Sequence, residues 1–281
     1  MTTVSVIIPT FNRSRRAVRA ITSVLFQTYK DFETIVVDDG STDGTHESII
    51  PVLPYIKYIA HRKNSGVSAA RNTGILASQS PLIAFLDSDD YWLPEKLAVQ
   101  VDYFKQHPAA VACQTEEVWI RKGSRINPRK KHQKPSGDIF APSLKLCLVS
   151  PSAVMLRRSL FDEVGLFDAC LPACEDYDLW LRIACLYPIY LIKKSLVYKE
   201  GGASDQLSAA YEGMDRFRIK AMSKLIKGNK LTSIQLELVF QELSLKCTIY
   251  GNGCLKRGKK DEGRFYIGLP DRLRKGENVE F

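Results

Sequence analysis

Short apolar runs alternate with stretches of helical spacing through the first hundred residues: 4–8 is followed by 15–27, 34–37 by 42–53, and 82–86 by 94–107. The runs predict strands and the stretches predict amphipathic helices, because apolar residues three and four apart line one helix face. In the third stretch Leu97, Val101 and Phe104 share that face, Pro94 suits a first turn and Pro108 ends the helix. A run as continuous as Leu82-Ile83-Ala84-Phe85-Leu86 has no polar side to offer water, so its sheet is covered on both faces. An α/β fold is therefore predicted, with a mostly parallel sheet flanked by helices.

The alternation resumes with strands at 153–156 and 189–192 around a helix at 175–186, which carries the α/β unit to about residue 205. Beyond it Met214, Phe217, Met222, Leu225 and Ile226, then Leu236, Phe240, Leu243, Cys247 and Tyr250, predict two helices with Gly251 as a stop. A short helix is expected over 254–267. The expected division is a unit at 1–205 and a C-terminal helical extension at 206–281. The extension is too small for a rich core of its own and is expected to pack on the α/β unit.

With 45% hydrophobic and 25% charged residues among 281, the chain is neither disordered nor fibrous. No uncharged run reaches the roughly 18 apolar residues of a membrane span, and residues 183–192 are interrupted by Pro188. The opening residues read as a strand rather than a signal peptide, having no basic segment before the apolar run. Seven cysteines, mostly among apolar neighbours, read as free thiols in a reducing cytoplasm, and Cys170 with Cys174 lacks the second pair a zinc site needs.

The net charge of +9 is concentrated between Glu117 and Asp138, where Arg121, Lys122, Arg125, Arg129, Lys130, Lys131 and Lys134 meet no acid. This reads as an exposed, mobile basic loop. It lacks the interleaved aromatics of a nucleic-acid binder, so anionic phospholipid or a lipid-diphosphate acceptor suits it better. A solvated loop with no partner carries equal weight.

The acids sit where an open parallel sheet binds ligands, at the carboxyl ends of strands: Asp38 and Asp39 after the second, and Asp87, Asp89 and Asp90 after the third. Asp also caps turns and helices, which would account for one such cluster more readily than for two. Three carboxylates within four residues repel one another unless a cation or proton compensates, and hard oxygen ligands select Mg²⁺ or Mn²⁺. A magnesium ion on one or two carboxylates completes its shell with water and substrate phosphates, which points to a nucleoside diphosphate. No GxxxxGK[ST] or GxGxxG pattern follows the first strand.

Five segments in order resemble the inverting nucleotide-sugar glycosyltransferases of family 2, with the Rossmann-like GT-A fold: "VIIPTFNR", "VVDDGSTDGT", "NSGVSAARNTGI", "FLDSDDYWLPEKL" and "VGLFDACLPACEDYDLWLR". The likeness covers about residues 1–200 and implies a nucleotide-sugar half at about 1–110 and an acceptor half at about 111–205. It implies that Pro9, Thr10 and Phe11 meet the nucleotide base beside Arg13, that Asp39 bonds the base or ribose, and that Arg71 lies near the diphosphate. Asp89 and Asp90 would hold the ribose and the metal with Asp87 in support, which leaves open which of the three ligates. Asp176 would be the general base, with Glu175 orienting it. On a helix Asp178 points about 200° away from Asp176, so one of the two faces the donor. Acids are also favoured in a first helical turn for structural reasons alone.

The implied reaction transfers a sugar from a nucleoside-diphosphate sugar, by default a UDP-sugar, to a glycan or lipid-linked acceptor. A bacterial enzyme of cell-surface polysaccharide or lipopolysaccharide synthesis on the cytoplasmic leaflet is implied. Many metal-dependent relatives place a histidine after the last strand; the loop "YKEGGASDQLS" has none, and Lys199, Ser204 or Asp205 are the substitutes available. Gly201 and Gly202 in that loop suit a lid or an ordinary turn. Two other classes compete. A sugar-phosphate nucleotidyltransferase would need a Gly-rich opening, and a non-catalytic nucleotide-sugar-binding protein would have no need of Asp176.

Overall fold

The first predicted strands form as β1 (Val4–Thr10), β2 (Phe32–Asp38) and β4 (Leu82–Phe85), joined by β3 (Lys57–Ala60) in a parallel arrangement. The computed structural model describes residues 2–127, 132–202 and 211–281. Helices α1 (Ser14–Leu25), α2 (Thr45–Ile49), α3 (Val67–Ala77) and α4 (Lys96–Gln106) connect these strands and follow them. The helix expected over 42–53 is shorter, because Pro51 and Pro54 lack the N–H an α-helix needs; a 3₁₀ turn spans Ile50–Tyr55 instead.

The second half adds β5 (Tyr91–Trp92), β6 (Ala112–Arg121), β7 (Ser124–Ile126), β8 (Val154–Arg157) and β9 (Tyr190–Gly201). The order across the sheet is β3-β2-β1-β4-β8-β6-β9-β5, with β7 paired to β6. Strand β8 runs antiparallel to both β4 and β6, while β6 and β9 are parallel. Register shifts after Thr115 and Glu116 bend β6 against β9, and such bulges re-aim side chains beside sites. Helices α5 (Phe140–Lys145), α6 (Leu160–Val164) and α7 (Glu175–Ala184) lie in this half.

Strand alternation divides the core. Val4, Val6, Ile8, Leu82 and Ala84 pack with α1 and α4, whereas Ile7, Ile83 and Phe85 pack with α6 and α7. Helices α8 (Asp215–Lys227), α9 (Ser233–Lys256) and α10 (Lys260–Arg274) add Phe217, Met222, Phe240, Leu243 and Leu269 to that second cluster, so the extension shares the core of the α/β unit. Among the described residues no helix is long and apolar enough to cross a membrane.

Two expectations fail here for identifiable reasons. Gly251 does not stop a helix: α9 runs through it, and the further helix lies at 260–274 rather than 254–267. A Cβ on Gly251 would fall 2.9 Å from the Gly263 carbonyl oxygen, so the glycine serves the crossing of α9 and α10. The basic segment is also not one exposed loop. Arg121 ends β6 and Arg125 lies in β7, both exposed, but Lys134 turns inward to Glu117 at 3.2 Å and to the Thr115 carbonyl at 3.1 Å. Arg129, Lys130 and Lys131 lie outside the described residues.

Lys96 is fully buried in α4, its Nζ 2.5 Å from Gln100 Oε1 and 3.9 Å from the centre of the Trp92 ring. Burial, with Lys134 adding to it and Cys113 and Glu117 opposing, pulls its ammonium down to about 7. Between about 7 and 10.5 the unfolded chain therefore binds the extra proton, and stability climbs with pH across that window. The contribution is fully present above 10.5 and lost as the pH falls to about 7. Lys96→Met is expected to flatten this dependence and to melt higher than the parent at pH 6. Parallel melting-temperature profiles of parent and variant would refute it.

Candidate active site

A cavity of about 640 Å³ opens where β1, β2 and β4 end, and the first turn of α7 also lines it. Most side chains singled out from the sequence for donor, metal or base meet there: Pro9, Thr10, Phe11 and Arg13, then Asp39, Arg71, Asp87, Asp89 and Asp90, then Glu175 and Asp176. Asp38, the remaining carboxylate of the strand ends, does not line the cavity. It sits within β2 and accepts hydrogen bonds from the Tyr58 hydroxyl at 2.6 Å and the Ser41 N–H at 2.9 Å. Phe11 is 41% exposed, an aromatic face available to a flat ligand, whereas Thr10 is buried.

Asp39 is held by the loop after β3. It accepts the Ser65 N–H at 3.0 Å and the Gly66 N–H at 2.8 Å, and His61 Nδ1 lies 2.7 Å from it. The other ring nitrogen of His61 meets Thr73 Oγ1 at 2.9 Å. Sequence reasoning missed His61, because its partnership follows from a register, Asp38 opposite Ala60, in a strand too short and too exposed to be read from pattern.

Arg71 is buried in α3 and bridges the two halves of the cavity, donating to Asp87 and to Glu175, each at 2.7 Å. Burial opposes its charge, yet the two carboxylates hold the guanidinium protonated beyond its ordinary range. Asp87 resists its own burial and is held down by Arg71 and Lys199. Burial and the neighbouring Asp176 push Glu175 up to about 7 against the pull of Arg71.

Asp89 pairs with Arg13 at 3.0 Å and is more accessible than Asp90. Both Asp90 oxygens are occupied, one by the Ser152 hydroxyl at 2.6 Å and the other by the Glu200 N–H at 3.1 Å. Burial raises Asp90 well above the carboxylate range, aided by Asp89 and Asp87 and opposed by Lys199.

Lys199 is not a substitute metal ligand. It lies in β9, donates to Ser150 Oγ at 3.0 Å, and is kept an ammonium, against its burial, by Glu117, Asp90, Asp87 and Asp176. A protonated amine has no lone pair for a metal. Glu117, between Lys134 and Lys199, is held at about 2 despite burial. Gly201 ends β9, paired with Arg121, and Ser204 and Asp205 lie outside the described residues.

Among the described residues no group of three His, Cys, Asp or Glu side chains forms a metal cage. The cavity is nevertheless acid-rich, with Asp39, Asp87, Asp89, Asp90, Glu175, Asp176 and Glu200 against Arg13, Arg71 and Lys199. Hard carboxylate oxygens of this kind fit a divalent cation, and Asp89 is more accessible to one than Asp90.

Asp176 lies in the first turn of α7, half-buried, with the Tyr177 N–H at 2.7 Å on one oxygen and the Cys147 thiol at 3.4 Å on the other. Burial, then Asp176, drives that thiol well above its ordinary pKa. Asp178 faces the other way, to Arg182 at 2.7 Å and Lys224 at 2.9 Å, as the helical rotation predicts.

A model of glycosyl transferase family 2 matches residues 5–165, more than half of the chain. An uncharacterised glycosyltransferase of Rickettsia felis is 38% identical over 197 residues, covering 69% of this chain but 32% of its own length. The chain thus spans about a third of that relative. The UDP-Glc:alpha-D-GlcNAc-diphosphoundecaprenol beta-1,3-glucosyltransferase WfgD of Escherichia coli is 32% identical over 181 residues, 64% of this chain and 69% of WfgD. In fold, the crystal structure of S. aureus TarS 1–349 in complex with UDP-GlcNAc superposes with a TM-score of 0.70 at 17% identity, covering 99% of this chain and 93% of that one. The curled, mostly parallel sheet with its flanking helices is the GT-A fold, and the chain belongs to glycosyl transferase family 2.

Proposed function

We propose that the chain transfers a sugar, with inversion, from a nucleoside-diphosphate sugar to a hydroxyl of a glycan or lipid-linked acceptor, in bacterial cell-surface polysaccharide synthesis. The observation that carries this reading is one cavity holding both the nucleotide-side residues and Asp176. The relatives' names favour UDP as the carrier.

Pro9, Thr10 and Phe11 would receive the base, and Asp39 the ribose or base edge, with His61 and the 65–66 amides keeping that carboxylate in place. Asp89 would hold Mn²⁺ or Mg²⁺, with Asp90, which accepts from the Ser152 hydroxyl and the Glu200 N–H, next to it in the chain. When bound, the cation offsets charge gathering on the departing diphosphate. Arg13 and Lys199 are fixed cations for the same charge. Asp176 would take the proton from the acceptor hydroxyl as it attacks C1 of the sugar, which carries oxocarbenium character as the diphosphate leaves. A single displacement of this kind inverts the anomeric centre. Arg71 and Glu175 position Asp176 relative to Asp87.

A thermal-shift titration tests the donor half. UDP with Mn²⁺ is expected to stabilise the parent by about 2.7 kcal/mol at a hundredfold excess over its dissociation constant. UDP alone should do much less, and Asp89→Ala should lose the metal-dependent part. The same shift for parent and variant would remove Asp89 from the cation site; no shift with UDP, TDP or GDP would remove the donor assignment.

A further inference from the structure

A second cavity, about 240 Å³, lies on the C-terminal helices beside the first. The two are separated by a single stretch of backbone: Met214 lines the cavity that holds Asp176, while Gly213 and Arg216 line the second. Its other walls are Tyr211, Tyr250, Arg257 and Lys259, with Glu212 the acid among them. Gly213 permits this closeness. It has φ +67°, and a Cβ there would lie 2.7 Å from the Tyr250 ring.

The polar groups around this cavity are poorly satisfied from within. The Arg216 guanidinium rests over the Phe217 ring, 4.5 Å from its centre, and its buried Nε has no hydrogen-bond partner among the described residues. Neither Arg216 nor Arg257 forms an ion pair with a described carboxylate, and Lys259 has a long contact, 3.8 Å, to Glu262. Tyr250 donates to Glu262 at 2.8 Å, which turns that carboxylate toward the tyrosine. Two guanidiniums and an ammonium converging on one small polar cavity suit a doubly charged oxyanion.

We infer that this cavity binds the diphosphate of the acceptor, holding a sugar-diphosphate-lipid so that its sugar reaches Asp176. The inference rests on the reading of Asp176 as the acceptor side. It adds Arg216, Arg257 and Lys259 as the residues that select an acceptor carrying a diphosphate over an uncharged glycan.

The test is calorimetric titration of the full chain with geranyl diphosphate and with inorganic pyrophosphate, in chelator, for the parent, Arg216→Gln and Arg257→Gln. Arg257 is exposed, so its substitution leaves the fold intact. Geranyl diphosphate is expected to bind the parent equally in chelator and with Mn²⁺ and saturating UDP present, and each substitution is expected to weaken it about tenfold. Equal affinity in the parent and Arg257→Gln overturns the inference, as does displacement by UDP, which would place the ligand in the donor cavity. Binding of pyrophosphate without geranyl diphosphate makes this a site for free phosphates and overturns the acceptor assignment. UDP with Mn²⁺ is titrated separately, and its failure with diphosphate binding intact sinks the donor reading alone.

Discussion

Asp176→Asn is expected to lower sugar transfer about 10³-fold, within the range a positioned general base supplies, while UDP with Mn²⁺ stabilises the variant as it does the parent. The amide keeps the size of the carboxylate and can still meet the Tyr177 N–H, so the helix start is undisturbed. What it loses is the ability to accept the acceptor's proton. Asp178→Asn is the control, since that side chain lies against Arg182 and Lys224 and away from the cavity. Its cost should appear in stability and not in the ratio of transfer to binding. A fast Asp176→Asn enzyme would move the base elsewhere and leave Asp176 as a helix-start acid.

Arg71→Met is expected to destabilise the fold by about 3–5 kcal/mol, the usual consequence of removing one member of a buried ionic group. Two carboxylates lose their cation at once, Asp87 at the end of β4 and Glu175 at the start of α7. Both are desolvated, and Glu175 is already pushed up by burial and Asp176. Denaturant unfolding reads the loss as a lower midpoint at unchanged slope. Adding Glu175→Gln to Arg71→Met should recover part of it, because one of the stranded charges is gone. Full additivity of the two changes would mean that the 2.7 Å contact carries no coupling.

The first half of the sheet was legible because its signals are local. β1, β2 and β4 announce themselves as apolar runs, and their acids follow directly in the chain. The helical rotation that separates Asp176 from Asp178 is likewise a local property. What stayed hidden depends on partners far away in sequence. β6 and β9 carry charged residues such as Glu117 and Lys199 that look like loop chemistry until the two strands pair and bury them against Lys134. His61 needs the β2–β3 register, and Gly251 reads as a helix end until Gly263 is brought against it. Periodicity sees one chain segment at a time; these features belong to contacts between segments.

The strand order also governs how the molecule is made. Strands β1 to β4 emerge first and can pair among themselves, but the outer edge of β4 is covered by β8, whose residues begin at Val154. At about 5–20 residues per second, that edge stays open for several seconds of synthesis, apolar and unpaired. β5 waits longer still, since Tyr91 and Trp92 pair with Tyr198 and Val197. The nascent chain therefore spends several seconds of its elongation as a half-sheet with an open apolar edge, the kind of edge that pairs with another chain until β8 covers it.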